Sequence, residues 1–443
     1  MSNTWPTRKL RELADIRVSN VDKKVVASEK PVKLCNYMDV YSNEYVTGSL
    51  PFMEASASAT ELERFGLNKG DVIITKDSET PDDIGIPAVI LDQIDNLVCG
   101  YHLALIRPNA DQVDSIYLAK QLATSRVARF FALHASGSTR FGLSISTIES
   151  VEILTPPKPE QTKIAEILST MDRAIEQTEA LIAKQQRIKI GLMQDLLTRG
   201  IDEHGNRRSE QTHKFKDSSM GRIPVEWEAL TLDDLAVHVG SGVTPRGGEA
   251  VYTKEGVLFI RSQNVHFGGL LLSDVSYLPQ RIHDTMRRSE VFENDVLLNI
   301  TGASIGRCCT MPKMNCSANV NQHVCAIRLN QATQSDAGFL TAVIESSIGQ
   351  NQVLKFNAGG NREGLNYQQV RSFVIPWPKT EERQQSYALI KGAEEALEVS
   401  GCNLDKLRAL KTALMQDLLS GKQRITRLLN NMEVGDYEAE QCL

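Results

Sequence analysis

Two long stretches of this 443-residue chain place apolar residues three and four positions apart. The first passes through Ile164, Ile167, Leu168, Met171, Ile175, Leu181, Ile182, Ile188, Leu192 and Leu196, and the second through Leu389, Ile390, Ala393, Leu397, Leu404, Leu407, Leu410, Leu414 and Leu418. Glu, Lys and Arg fill the positions between, so each stretch predicts an amphipathic helix whose stripe buries against a partner helix. The 34 positions from 164 to 197 span roughly 51 Å at about 1.5 Å per residue. A helix inside an ordinary domain core is usually shorter. Both stretches are introduced by proline and acid, Pro156-Pro157-Lys158-Pro159-Glu160-Gln161 and Pro376-Trp377-Pro378-Lys379-Thr380-Glu381-Glu382. Proline is tolerated in a first turn, and carboxylates favour the positive end of a helix. In the second stretch Val399-Ser400-Gly401-Cys402 weakens both helix propensity and stripe, which predicts a kink or looser packing near Gly401.

Ahead of each helix lies a mixed segment of short β-type runs broken by Gly, Asn and Asp. Asp71-Val72-Ile73-Ile74-Thr75 has a counterpart in Asp295-Val296-Leu297-Leu298-Asn299, and the runs ending Ile106-Arg107 and Ile327-Arg328 share the pattern H-x3-IR from His102 and His323. Helical pieces are expected at 115–133 and 337–350. Each mixed segment reads as an α+β globule with a curved antiparallel sheet. Residues 200–221 are polar and offer little to bury, so they read as a connector. The resulting division is a first globule at 1–155, a helix at 156–199, a linker at 200–221, a second globule at 222–377, a helix at 378–425 and an acidic tail at 426–443.

The two halves are copies. Leu192-Met193-Gln194-Asp195-Leu196-Leu197 returns 222 positions later as Leu414-Met415-Gln416-Asp417-Leu418-Leu419. At the same offset Trp5, Leu10, Leu13 and Ala14 match Trp227, Leu232, Leu235 and Ala236, and Gly137, Arg140, Gly142 and Leu143 match Gly359, Arg362, Gly364 and Leu365. A register kept over separate landmarks means that whole units were duplicated. Two like units suit a partner with its own two-fold or linear repeat, of which duplex DNA is the first candidate. The net charge of −6 argues against a general nucleic-acid coat but leaves room for a local basic face. No apolar run is long enough to span a membrane and no signal pattern opens the chain, so a cytoplasmic protein is expected.

Motifs that carry catalysis are missing. There is no phosphate loop, no dinucleotide-binding glycine fingerprint, no H-E-x-x-H and no [DNS]-P-P-[YFW] of amino-methyltransferases. Gly240-Ser241-Gly242 reads as a turn, and Gly302-Ala303-Ser304-Ile305-Gly306 only superficially matches a nucleophile elbow. Cys308, Cys309, Cys316 and Cys325 have no paired zinc spacing and read as buried thiols. His102 and His323 read as hydrogen-bonded structural residues. The expectation is a chain with no catalytic, cofactor or metal site of its own.

Two α+β units alternating with two long helices, the P-P-x-P-E-Q-x-x-I-A-x-x-L run at 156–168, the L-M-Q-D-L-L blocks and the G-x-I-P-x-x-W run at 221–227 together resemble the specificity subunit of a type I restriction-modification system. The resemblance covers nearly the whole chain. It implies that each unit is a target recognition domain and that the helices pair as an antiparallel coiled coil. That coiled coil would space the domains and dock two methyltransferase subunits, with endonuclease/translocase subunits added in a full complex. S-adenosylmethionine, ATP and magnesium would belong to those partners. Double-stranded DNA would be read as two half-sites with an unread spacer, and about one helical turn inserted into the strut should lengthen that spacer.

Half-site differences must come from residues that differ between the units. The base-edge candidates are polar residues after β-type runs: Lys33, Asn36, Lys76, Ser78 and Thr80 in the first unit, and Arg261, Gln263, Asn264, Asn299, Thr301 and Ser304 in the second. Arg140 and Arg362, shared by both copies, suit phosphate clamps or scaffold contacts. Two other functions stay open on the sequence. One is a helical assembly protein without DNA reading, and the other is a self-contained DNA methyltransferase with fused recognition domains.

Overall fold

The computed structural model describes residues 5–357 and 364–425, so Arg362, Gly359 and the acidic tail lie outside the described residues. The chain forms two compact units, Met1–Glu179 with Asn403–Leu443, and Ala180–Cys402. This differs from the sequence division, in which the helices stand as separate elements. Each long helix, Lys158–Thr198 and Thr380–Leu419, contributes one end to each unit.

In the first unit a five-stranded sheet runs in the order Ala14–Val18, Leu103–Pro108, Val72–Thr75, Pro87–Ile90, Tyr45–Val46. Its central strand Val72–Thr75 is buried at every position, which is why 72–74 reads as an unbroken apolar run rather than an alternating one. A second sheet joins Met53–Ala57, Lys30–Cys35 and Leu97–Cys99. The second unit has an antiparallel sheet of Ala236–Ser241, Val324–Leu329, Val296–Asn299 and Cys308–Thr310, and another of Ser276–Leu278, Val257–Ile260, Ala318–Val320 and Glu290–Val291. The α+β expectation gains one detail, because each unit includes parallel pairs among the antiparallel ones. Gly240 and Ser241 end a strand rather than forming a turn, and Cys316 is exposed while Cys308, Cys309 and Cys325 are buried.

The duplicated landmarks meet in space. Within each unit the strand after the tryptophan pairs with the strand before a long helix, Thr7–Lys9 with Glu152–Leu154 and Glu228–Thr231 with Val374–Trp377. The buried tryptophan is thereby set against a helix start. There Glu160 accepts from Arg424 Nε and Nη2, both at 2.9 Å, and the Arg424 guanidinium lies 5.3 Å from the Trp5 ring centre. In the second unit Glu382 accepts from both terminal nitrogens of Arg208, from Trp227 Nε1 at 3.1 Å and from the Ile201 backbone N–H at 3.0 Å. Ile201 and Arg208 are buried, so residues 200–221 are tied down more firmly than a bare connector would be. Each long helix is followed by a glycine in the left-handed region, Gly200 and Gly421, the usual helix terminator. A Cβ on Gly200 would sit 2.0 Å from Glu382 Oε1, and one on Gly421 would sit 3.1 Å from Trp5 Cδ2.

This arrangement explains the identical hexapeptides. Leu418 and Leu419 enter the core of the first unit with Trp5 and Leu10, while Met193, Leu196 and Leu197 enter the core of the second with Leu232. Each copy therefore finishes the globule of the other half.

Pairing of the helices is antiparallel within each unit. In the first, Asp172 meets Lys411 at 2.7 Å and Glu179 meets Arg408 at 2.6 Å. In the second, Lys189 bridges Glu394 at 2.9 Å and Glu345 at 3.1 Å. Asp172 and Glu394 are repeat equivalents, as are Lys189 and Lys411. The same acid–lysine pair thus forms in both units with the contributing helices exchanged. Not every stripe position is covered: Leu181, Ile188, Leu389 and Leu410 are exposed. The second helix continues through Gly401 without a break, and a Cβ there would meet nothing within 4 Å, as at Gly191 in the first helix.

Candidate nucleic-acid interface

The strand pair Val72–Thr75 and Leu103–Pro108, and its counterpart Val296–Asn299 and Val324–Leu329, form the frame of the site. The acid that precedes one strand grips an arginine near the end of the other. Arg107 Nε and Nη2 donate to Asp71 at 2.9 and 2.7 Å, and Arg328 Nε and Nη2 donate to Asp295 at 2.8 and 2.7 Å. Asp71 and Asp295 are almost wholly buried. This fork-to-fork geometry is the strongest form of an Arg–carboxylate pair. It accounts for the arginine in H-x3-IR.

The histidine of that pattern lies at the opposite end of the strand. Lys76 N–H donates to His102 O at 2.9 Å and Leu143 N–H to Lys76 O at 2.8 Å; in the second unit Ile300 N–H donates to His323 O at 3.0 Å and Leu365 N–H to Ile300 O at 2.8 Å. Three backbone segments, including the glycine-rich loop, thus converge on the histidine in both copies. Gly137 lets the first loop fold, since its φ is +142° and a Cβ there would come 1.9 Å from Arg140 O.

The side chains on this common frame differ. In the first unit His102 Nδ1 is 2.8 Å from Asp77 Oδ2, Lys76 Nζ donates to the same oxygen at 3.1 Å, and Arg140 Nη2 lies 3.2 and 3.3 Å from the two ring nitrogens of His102. Burial depresses the His102 pKa, and the Arg140 and Lys76 charges add to that against the opposing pull of Asp77. In the second unit His323 Nδ1 is 2.5 Å from Thr301 Oγ1 and its Nε2 is 3.0 Å from Gln322 Nε2, while Thr244 Oγ1 donates to Gln322 Oε1. One site is charged and the other is built from hydroxyls and an amide.

The structure gathers some of the sequence candidates and disqualifies others. Lys76, Ser78 and Arg140 come together, Ser78 pairing with Phe141 through the backbone. Ser78 itself is buried, its hydroxyl accepting from Thr80 N–H at 3.3 Å, and Thr80 is exposed. Lys33 is exposed on the other sheet opposite Glu54, and Asn36 starts a short helix, its N–H donating to Asp39. In the second unit Thr301 is engaged by His323 and Gln263 Nε2 donates to Asp274 at 2.7 Å, with Arg261 3.8 Å from the same carboxylate. Asn264 and Asn299 are corrections. Asn264 is 1% exposed, accepting from Arg261 N–H and donating to Leu271 O and Asp274 O. Asn299 is fully buried and donates to Ser262 O and Ser304 Oγ. Neither amide has an edge to show a base. Polar residues after strands are drawn inward where a tight turn needs its backbone groups capped. Sequence reasoning missed Asp77, Thr244 and Gln322, although the differing neighbours of the duplicated histidine, Tyr101 and Gln322, were a signal.

Among the described residues no group of three or more His, Cys, Asp or Glu side chains could hold a metal ion, and no helix is long and apolar enough to cross a membrane. Residues 304–306 form a tight turn after a strand rather than a strand-to-helix elbow.

A duplicated globule with divergent polar faces on one strand frame, closed by long paired helices, defines a two-domain recognition architecture. Residues 2–185 and 224–398 match the type I restriction modification DNA specificity domain, and the chain belongs to that family. It is 22% identical over 427 residues to the putative type I restriction enzyme MjaX specificity subunit of Methanocaldococcus jannaschii, covering 95% of this chain and 94% of that protein. Its fold is similar to the type I restriction-modification S subunit from M. genitalium, with a TM-score of 0.59 at 15% identity over 95% of this chain and 97% of the other. It is also similar to a chain from a structure concerned with complex assembly and conformational transition of the type I R-M system, with a TM-score of 0.53 at 14% identity, covering 96% and 99% of the two chains.

Proposed function

We propose that this chain is the DNA sequence-recognition subunit of a type I restriction-modification complex, reading a bipartite duplex target with one half-site per unit and catalysing nothing itself. The observation that carries this reading is the one strand frame bearing a Lys–Asp–His–Arg cluster in the first unit and a Thr–His–Gln–Thr chain in the second. Two readers of identical chemistry would specify a symmetric site; two that differ specify an asymmetric one. Recognition of this kind needs polar groups aimed outward from a rigid frame, and the buried Asp–Arg pairs supply the rigidity.

The long helices dock two methyltransferase subunits, with endonuclease subunits joining the complete assembly. Apolar residues left exposed on them, such as Leu181, Ile188 and Leu389, support such docking. S-adenosylmethionine, ATP and magnesium then act in the partner subunits, and the complex works in the cytoplasm. Sequencing modified bases across the source genome with the gene intact and deleted tests the reading. Loss of one split, asymmetric methylated motif on deletion is expected; unchanged methylation with the methyltransferase expressed would overturn it.

A further inference from the structure

The five-stranded sheet of the first unit ends on a strand that the second unit lacks among the described residues. Tyr45–Val46 runs parallel to Pro87–Ile90 at the sheet edge, whereas the matching sheet of the second unit stops at Cys308–Thr310. Tyr45 fills the corner between that edge and the long helices. Its hydroxyl donates to Asp172 Oδ2 at 2.6 Å, Lys411 meets Oδ1 of the same carboxylate at 2.7 Å, and the Lys120 ammonium lies 5.2 Å from the Tyr45 ring centre. The space left there is about 20 Å³, with Val89, Ile116, Ala119 and Ala123 in its walls. Strand register and the 222-residue offset match these to Thr310, Gly338, Thr341 and Glu345. Those four line a cavity of about 250 Å³ in the second unit.

The acceptor is still present. Glu394, the repeat equivalent of Asp172, lines the cavity, and Lys189 meets its Oε1 at 2.9 Å as Lys411 meets Asp172. Among the described residues no hydrogen bond or ion pair reaches Glu394 Oε2, the counterpart of the oxygen that Tyr45 takes. Tyr387 does not replace Tyr45, because its ring lies on Gly338, where a Cβ would come 2.0 Å from Tyr387 Cε2. Nor does the edge invite an added strand. Leu91 donates its N–H to Val46 O in the first unit, and at the matching place the second unit has Pro312, which has no N–H to give. What is missing is one side chain. About 150 Å³ is enough for benzene, and small-molecule sites begin at roughly 300 Å³, so the cavity suits a single aromatic ring. We infer that the second unit, and not the first, takes a tyrosine or tryptophan side chain of a methyltransferase subunit into this cavity, its O–H or N–H donating to Glu394. This rests on the docking role proposed above and makes the two docking faces unequal. Ile390 and Lys391 of the second long helix form one wall beside the exposed Leu389, so whatever enters touches the helix given to docking. Gly268 and Gly269 form another wall, with Phe267 and Leu271 exposed beside them as an apolar rim. A buried aromatic anchor inside such a rim is the usual centre of a protein interface.

The test is native mass spectrometry of the full chain titrated with purified methyltransferase subunit, alongside ligand-detected NMR of p-cresol, the tyrosine side chain alone. Wild type should take up two methyltransferase copies and bind p-cresol. Thr341→Phe, which fills the cavity from within the chain, should abolish p-cresol binding and weaken one methyltransferase copy roughly tenfold or more while the other stays. Glu394→Gln keeps the shape and weakens the acceptor, and should lower the same two affinities by less. Tyr45→Ala should open a second p-cresol site in the first unit. Should Thr341→Phe unfold at a lower temperature than wild type, Glu394→Gln decides on the same readouts. Variants that unfold like wild type and bind both methyltransferase copies with unaltered affinity would overturn the inference, as would p-cresol that binds Thr341→Phe as well as wild type. A wild-type chain that takes up no methyltransferase would overturn the docking role itself, and p-cresol binding, which needs no partner, tells that result apart from a closed cavity.

Discussion

The two units close their helix junctions with the same three residue types but to different depths. Glu382 in the second unit gathers Arg208, the Trp227 N–H and a backbone N–H, whereas Glu160 in the first holds Arg424 while the buried Trp5 Nε1 has no partner among the described residues. Duplication preserved the geometry, and the surrounding chain then drifted. The segment from Leu197 to Arg208 is longer than the one from Leu419 to Arg424, and Ile201, one residue past the glycine, gives Glu382 a backbone N–H as well. The polar faces drifted further than the junctions, because an exposed face tolerates substitution where a buried ion pair does not.

The largest expected effect separates the junctions directly. Glu382→Ala strands a buried guanidinium, an indole N–H and a backbone N–H, and should cost about 3–5 kcal/mol; Glu160→Ala, leaving a partly solvated Arg424, should cost roughly 1–3 kcal/mol. Denaturant unfolding of the full chain followed by tryptophan fluorescence measures both, and equal losses would mean that the Trp227 and Ile201 bonds contribute nothing. Gly200→Ala and Gly421→Ala should rank in the same order. The first drives a methyl into Glu382 and Trp227 and the second only brushes Trp5, so losses of about 2–4 and about 1 kcal/mol are expected.

Where the units agree, the prediction is equality. Asp71→Asn and Asp295→Asn each disrupt one fork-to-fork pair with a half-buried arginine, and each should cost about 1–3 kcal/mol. A difference larger than about 1 kcal/mol between them, on the same unfolding measurement, would show that the frames are not energetically equivalent.

The smallest effect is one of pH. Burial alone would raise the Asp172 pKa, but hydrogen bonds from Lys120, Lys411 and Tyr45 hold it below the usual carboxylate value. Burial likewise works against Asp336, whose carboxyl is held low by Thr333 and Arg383. A carboxyl lowered by folding adds stability above its unfolded pKa of about 3.9 and loses that contribution as pH falls through the lower folded value. Asp172→Asn and Asp336→Asn should therefore be destabilising at pH 7, with the gap to wild type shrinking below about pH 4. A gap that stays constant between pH 7 and pH 3 would assign both residues a packing role only.

The long helices, the two-fold duplication and the alternation of globule and helix were legible in the residues. Helical period and repeat register are local properties that survive without any knowledge of contacts. The site was legible only in part. Arg140 and Lys76 stood out by charge, yet Asn264 and Asn299 look on paper like Gln263 and Gln322. Burial, which no single sequence position announces, made the first two scaffold and left the others outside.

By itself the sequence determined that there are two of everything: two strand frames, two glycine-rich loops, two helices ending in the same hexapeptide. Only the tertiary structure decided which copy completes which. Leu418, Leu419 and Arg424 belong to the first unit, and Met193, Leu196 and Arg208 to the second, because antiparallel helices carry each C-terminal end to the start of the other helix. The tertiary structure also decided that Arg140 lies against the ring of His102 while Gln322 meets Nε2 of the equivalent His323. A hydrogen bond to a ring nitrogen depends on three segments arriving together, and their separation along the chain hides that meeting.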